Sequence, residues 1–407
     1  MRILYLCHRI PFPPDKGEKI RAYHHLTHLA RGHQVHLACL ADTRADLEHV
    51  RPLEKICASV DVVYRSPVAA RLFALAALPT SRSLSVAAFD SPDLRIRVER
   101  RLKEERPDIL VAYSAAMAQY VEHVNGVPRV LDFVDADSEK LREYGRLRPF
   151  PHSALYALEA ERLARYEGRM AREFDASIFI SEAEAEIVRH HAPGRDFSII
   201  PNGVDLDAFR PGPKVARPRD PVVVFTGVMG YFPNVDAVSH FARDILPRVR
   251  GQLPDARFVI VGRDPATAVR RLAGLPGVTV TGAVADVRPY LADAAVAVAP
   301  FRIARGVQNK VLEAMASGLP VVGTRLAFQG ITANKGDGVR VADSPEAFAE
   351  EVVALLRNPA RQHELGQQAR TYVERHHRWG EAVALLEKAL LELIEARRAA
   401  TAGGSGR

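Results

Sequence analysis

Apolar residues in this chain fall into short continuous runs, separated by longer stretches in which they recur every three to four positions. Arg2–Cys7 is one such run, and its lack of alternation predicts a strand buried on both faces. From Glu18 to Arg31, Ile20, Tyr23, His24, Leu26 and Leu29 recur at helical spacing, and Gly32 ends the pattern. Gln34–Leu40 is the next run. Strand, helix and strand with a short crossover predict a βαβ unit and a parallel sheet. Further strands are predicted at Val60–Tyr64, Ile109–Ala112, Val130–Phe133, Ala176–Ile180 and Ser198–Ile200. In 152–173, Glu159, Glu161, Arg162, Arg165, Glu167 and Arg169 predict a helix with a solvated charged face.

Residues 210–221 hold four prolines and few apolar groups, the composition of a linker. A second α/β series follows. Strands are predicted at Val222–Thr226, Arg257–Gly262, Val278–Thr281, Ala295–Ala299 and Pro320–Thr324, with helices at Val235–Arg250 and Gly306–Ser317. The pattern predicts a domain over 1–208, a second over 209–378, a helix over 379–399 packing back toward the first domain, and a disordered Gly/Ser tail over 400–407. A ligand is expected in a cleft at the carboxyl ends of the strands.

Composition narrows the function. The longest uncharged stretch, Pro221–Val235, is 15 residues and contains Pro and Gly, whereas a membrane span needs roughly 20 apolar residues. Residues 3–6 are too short an apolar run to predict a signal peptide. Cys7, Cys39 and Cys57 form no CxxC and cannot all pair, so reduced thiols are expected. Residues 1–211 carry 30 basic and 30 acidic side chains, and residues 212–407 carry 26 and 19, so the net +7 lies wholly in the second half. A basic half suits a phosphate-bearing ligand, an anionic membrane or nucleic acid. Aromatics are only 7% and do not interleave with Lys/Arg runs, so nucleic acid is not expected. No Gly-x-Gly-x-x-Gly follows the first strand, which argues against a dinucleotide-dependent dehydrogenase.

The most informative stretch runs from Arg302 to Val322, with Arg305, Gly306, Asn309, Lys310 and Glu313 in its first half. A helix N-terminus favours phosphate through its free N–H groups and dipole. Lys310 adds a point charge for a diphosphate, and Glu313, on the same helix face, can accept hydrogen bonds from a ribose diol. A Lys310–Glu313 surface pair is the plainer alternative.

This stretch resembles the donor-site helix of family 4 glycosyltransferases, retaining enzymes of GT-B fold. Other pieces agree in order: Pro-Phe-Pro-Pro-Asp-Lys-Gly17 before a helix, Gly32-His-Gln-Val35, Phe174-Asp-Ala176 with Ser181-Glu182, Pro201-Asn-Gly-Val-Asp205, Val259-Ile-Val-Gly262, and Thr281-Gly282 with Tyr290-Leu291. Val130-Leu-Asp-Phe-Val-Asp-Ala-Asp-Ser138 is similar to the exopolysaccharide sugar transferases associated with PEP-CTERM/exosortase systems. The resemblance implies two Rossmann-like domains facing across a cleft, a nucleotide-sugar donor in the second and a saccharide or lipid-linked acceptor in the first. It implies no metal and no other cofactor. Donor contacts are expected from Gly17, Gly227, Asn234, Gly262, Arg302, Arg305, Gly306, Asn309, Lys310 and Glu313. Asp135, Asp137 and Lys310 are the expected catalytic residues.

The chain departs from the family pattern at three places. Arg305 stands where the first Glu of Glu-x7-Glu is usual, Gly227–Asn234 lacks the usual Arg and Lys, and Asp132, Asp135 and Asp137 stand where a His is common. Asp135 or Asp137 could take the acceptor's proton, or both could cap the helix near Ser138. A non-catalytic partner of a polysaccharide assembly complex and a nucleotide-sugar epimerase remain open. A cytoplasmic location is expected, with the apolar stretch 71–78 either lying on the inner membrane surface or forming a buried helix and loop of the first domain.

Overall fold

The computed structural model describes residues 1–146, 148–212, 221–333 and 336–404. The chain divides into two compact units, Met1–Pro201 with Gly380–Arg407, and Asn202–Trp379. The first division therefore falls at the Pro201-Asn202 bond, before the proline-rich segment; residues 213–220 of that expected linker lie outside the described residues.

The first unit holds seven strands: β1 Arg2–Cys7, β2 Gln34–Ala41, β3 Ser59–Tyr64, β4 Ile109–Tyr113, β5 Arg129–Val134, β6 Ala176–Phe179 and β7 Ser198–Ile199. They are hydrogen-bonded in the order β3-β2-β1-β4-β5-β6-β7, and each pairing is parallel. β1 is central, which is why Ile3–Leu6 can be almost entirely apolar. Its register sets Cys7 beside Cys39; these two and Cys57 are buried free thiols. Parallel pairing with helical crossovers brings the carboxyl ends of all seven strands to one edge.

The second unit holds β8 Val222–Thr226, β9 Arg257–Val261, β10 Val278–Val280, β11 Val296–Ala299, β12 Val321–Gly323 and β13 Val339–Val341, in the parallel order β10-β9-β8-β11-β12-β13. β13 escaped the sequence reading because Arg340 divides its two valines and leaves no continuous apolar run.

Four expectations need correction. The predicted 235–250 helix is Phe232–His240, a wider π turn Phe241–Ile245, and Leu246–Gln252. Pro247 lacks the N–H that would continue the ladder, and the widened turn precedes it. The predicted 306–317 helix begins at Asn309, because Gly306 takes a left-handed φ of 62° and belongs to the approach loop. Helix Trp379–Gly404 continues past 399 through the expected tail, of which 405–407 lie outside the described residues. It belongs to the first unit, where Glu387 meets His33 at 2.7 Å and Arg397 lies 3.8 Å from Asp175. Finally, Glu159 and Glu167 of helix His152–Glu173 are buried, not solvated. Glu159 accepts from Ser83 Oγ and from the N–H groups of Leu84 and Ser85, and so closes the start of another helix.

Candidate active site

In the second unit the site begins where β8 and β9 end. Gly227 directly follows β8 and donates its N–H to the Val261 carbonyl at 3.0 Å. A Cβ on Gly262 would stand 1.7 Å from the Gly227 carbonyl oxygen, and both glycines have positive φ, 156° and 151°. No side chain fits between these two turns. A Cβ on Gly227 would meet Asn234 Nδ2 at 2.9 Å and Lys310 Cε at 3.1 Å, so the loop, Asn234 and Lys310 converge on one spot. Asn234 Nδ2 donates to the Val228 carbonyl at 2.9 Å, while its Oδ1 is buried without a partner.

Helix Asn309–Ala316 points its amino end at this spot. Gln308, its N-cap, is extended and makes no side-chain cap, while its carbonyl takes the Val311 N–H at 2.8 Å. Gln308 Nε2 instead donates to the Arg305 carbonyl at 2.8 Å. The Lys310 ammonium lies over the rings of Phe301 at 5.0 Å and Phe225 at 5.6 Å and 3.4 Å from Gln308 Oε1. Burial pushes its pKa down to about 8, against the opposing pull of Glu313. Burial likewise pushes Glu313 up to about 7, against Lys310. The pair is therefore not a surface salt bridge. Both side chains are half-buried in the first two turns of the helix, an ammonium and a carboxyl group whose pKa values desolvation draws toward neutrality.

The remaining donor candidates divide. Asn309 is joined to this assembly, its Oδ1 accepting from Asn202 Nδ2 at 3.1 Å. Gly306 lies so close to Gly330 that a Cβ on Gly330 would meet the Gly306 carbonyl at 2.6 Å. Arg302 is exposed and paired in bidentate fashion with Asp236, so a diphosphate would have to compete for it. Arg305 is half-buried beside Gly306.

The first unit carries a separate cluster at the carboxyl edge of its sheet. Asp132, the fourth residue of β5, is fully buried and takes Arg21 Nε at 2.9 Å. The chain then turns through Val134 at φ 68°, a conformation costly for a β-branched residue. That turn brings out Asp135 and Asp137. Neither caps the helix Asp137–Arg146. The Ala136 N–H goes to Glu184 Oε2 at 2.8 Å, and the Ser138 N–H goes to Glu167 Oε1 at 3.2 Å. The capping alternative fails because two carboxylates from other helices do that work. Asp135 Oδ1 is left buried without a partner, and burial, then the Glu184 charge, push Asp135 up to about 7. Asp137 lies 3.4 Å from Lys140. Gly17 is exposed and opens helix Gly17–Leu29.

The sequence did not single out His8, which follows β1. Its ring stacks on Tyr113 at 5.7 Å and meets Phe89 edge-on, and burial pushes it down to about 4, so it is neutral near pH 7. Glu184 and Glu167 were also missed, since nothing local marks them as partners of a turn far off in the chain. Among the described residues no group of three or more His, Cys, Asp or Glu could hold a metal ion.

Family models match both units. Residues 21–208 match "Glycosyltransferase Family 4" and residues 220–358 match "Glycosyl transferases group 1". The chain belongs to glycosyltransferase family 4. It is 30% identical over 212 residues to the D-inositol 3-phosphate glycosyltransferase of Mycolicibacterium paratuberculosis, covering 48% of this chain and 47% of that one. It is 29% identical over 343 residues to the phosphatidyl-myo-inositol mannosyltransferase of Mycobacterium leprae, covering 80% and 84%. The chain matches about half the length of most of the inositol 3-phosphate transferases it resembles. Its fold is that of sucrose-phosphate synthase from Thermosynechococcus elongatus (TM-score 0.72, 18% identity, 97% and 100% covered). It is also that of Anabaena HepE in complex with UDP-glucose (TM-score 0.65, 15% identity, 96% and 100% covered). Each unit thus has the parallel-sheet, Rossmann-like fold, and the solved neighbours are of GT-B fold.

Proposed function

We propose that this family 4 enzyme moves a sugar from a nucleotide-sugar donor to a saccharide or lipid-linked acceptor, with retention of configuration, in exopolysaccharide or cell-envelope glycan synthesis. The observation that carries this reading is Lys310, a half-buried ammonium in the first turn of a helix with no side-chain cap, beside the side-chain-free turns of Gly227 and Gly262. Charge gathers on the departing diphosphate in the transition state, where fixed N–H groups and a desolvated cation stabilise it most. HepE, a protein of the same fold, has been solved with UDP-glucose. Glu313, neutral or charged near pH 7, offers hydrogen bonds to the donor's hydroxyls. In the first unit Asp135, an unpaired carboxyl group titrating near neutrality, takes the acceptor proton, with Asp137 beside it. No metal is assigned a role.

Thermal shift against UDP, GDP, ADP and dTDP and their sugar conjugates tests the donor. A ligand at 100 times its dissociation constant adds about 2.7 kcal/mol, a readily measured rise in Tm. One responding base is expected; no response overturns the reading. Binding without turnover on any acceptor shifts weight to a non-catalytic partner.

A lipid acceptor calls for a membrane-facing surface, and the first unit offers one. No helix among the described residues is long and apolar enough to cross a membrane. Helix Pro67–Ala77 nevertheless exposes Val68 (65%), Leu72 (62%) and Leu75 (59%). Arg162 hydrogen-bonds the Ala77 and Leu78 carbonyls at that helix's end, and Leu158, Leu155 and the 82% exposed Phe150 precede it in the chain. Arg71, Arg146 and Arg148 are exposed in the same segments. Apolar side chains beside arginines suit an anionic bilayer surface. One relative is named for acting on phosphatidyl-myo-inositol, itself a lipid. Buried free thiols fit the reducing cytoplasmic side. Sedimentation with phosphatidylglycerol vesicles is expected to carry the protein down at low salt and to fail for Leu72→Glu/Leu75→Glu. Wild-type protein that stays in the supernatant refutes this surface.

A further inference from the structure

The segment that enters the second unit is tied to the first residue of its phosphate-facing helix. Asn202 is buried, and its Nδ2 donates to Asn309 Oδ1 at 3.1 Å. Its backbone is held independently. His377 Nδ1 is 2.8 Å from the Asn202 carbonyl, and the Val204 N–H returns a bond to the His377 carbonyl at 2.8 Å. Burial holds His377 below its usual range, so a neutral imidazole donates there from Nδ1. Between them, a Cβ on Gly203 would stand 2.5 Å from the Trp379 backbone nitrogen, so the strand of chain lies flat against 377–379. Asn202 is thus a fixed point within this unit.

A carboxamide has a donor end and an acceptor end, exchanged by half a turn about its last torsion. At the amino end of helix Asn309–Ala316 the two are not equivalent. An amide oxygen turned outward would repel phosphate oxygens, whereas an NH2 group offers them two donors. Among the described residues Asn309 makes no other side-chain hydrogen bond. We propose that Asn202 is a positioning residue: the bond from its Nδ2 holds the Asn309 oxygen inward, which leaves the Asn309 NH2 group for the donor's diphosphate. The inference rests on the nucleotide-sugar reading above. It adds a residue that touches no substrate yet decides which end of a donor-site amide does.

Asn202→Asp has the same shape but only accepts, so it captures the Asn309 NH2 group and turns the oxygen outward. The new charge would also act on phosphate directly, and a cycle removes that contribution. Calorimetric affinity is measured for whichever of UDP, GDP, ADP and dTDP the wild type binds, in N202D, N309A and N202D/N309A. The loss caused by N202D is expected to be about tenfold larger with Asn309 present than in the N309A background, the size of one charge-assisted hydrogen bond. N202A gives the same comparison without a charge, with a loss of about threefold confined to the Asn309 background, the size of one weak neutral hydrogen bond. Equal losses in both backgrounds, or none, overturn the proposal, because a merely structural role weakens binding whether or not the Asn309 amide is there. A wild type that binds none of the four removes the nucleotide-sugar reading itself, and this inference with it.

Discussion

Lys310→Met is expected to cut sugar transfer by about a hundredfold while leaving the protein at least as stable as the wild type. A hydrogen bond to a charged group is worth about 1.5–3 kcal/mol, and two factors of ten in rate correspond to roughly 2.7 kcal/mol. Methionine replaces the lysine stem with an unbranched apolar chain one atom shorter, so packing beside Phe225 and Phe301 is largely preserved. Stability should move the other way from activity. The Lys310 pKa falls from 10.5 to about 8 in the fold, so below about 8 the folded state carries a charge that burial disfavours. Wild-type stability therefore rises with pH between about 8 and 10.5, and the methionine variant lacks that rise. Nucleotide affinity runs opposite: it should weaken as pH climbs past about 8, because the free protein must then take up a proton to bind an anion. Calorimetry in two buffers of different ionisation heat reads that proton directly. A K310M enzyme with wild-type kcat/KM, or one that merely unfolds, refutes the assignment.

Asp135→Asn is expected to lower kcat by about 10²- to 10⁴-fold, the usual contribution of a positioned base, with nucleotide affinity unchanged. Asp135 lies in the first unit, and the cation and turns assigned to the donor lie in the second. The wild-type rate should fall as pH drops below about 7, since only the deprotonated carboxylate can take a proton, and this limb should vanish in the variant. Stability again separates chemistry from structure. The Asp135 pKa rises from 3.8 to about 7, so the folded state holds its proton longer than the unfolded chain and loses stability as pH climbs through that window. Asparagine, neutral throughout, removes that slope and should melt no lower than the wild type at pH 8. A large fall in Tm with an unaltered pH profile would make Asp135 a structural residue.

How far the site was legible depends on how local each signal is. The helix bearing Asn309, Lys310 and Glu313 shows in order and spacing, because a helix N-terminus is built by consecutive residues. Gly227 and Gly262 show as glycines after strands, but only pairing β8 with β9 reveals that each turn excludes side chains from the other. Arg302 reads as a phosphate ligand and proves to be engaged by Asp236, 66 positions away. Residue type gives charge, and only the fold gives its partner. The same holds for the acidic cluster. Asp135 and Asp137 read either as proton acceptors or as helix caps, and Glu167 and Glu184, brought in from elsewhere in the chain, take the capping role.

By itself the sequence determined two series of buried parallel strands with helical crossovers, a basic second half, and a helix with Lys310 in its first turn, since all of these follow from hydrophobic periodicity and residue order. Tertiary structure alone decided which charges are desolvated. It desolvated Lys310, Glu313 and Asp135 in part, which moved their pKa values toward neutrality, and it buried Glu159 and Glu167 out of a face that looked solvated. The reason is physical: periodicity reports which side of an element is apolar, whereas the cost of a charge depends on everything packed around it.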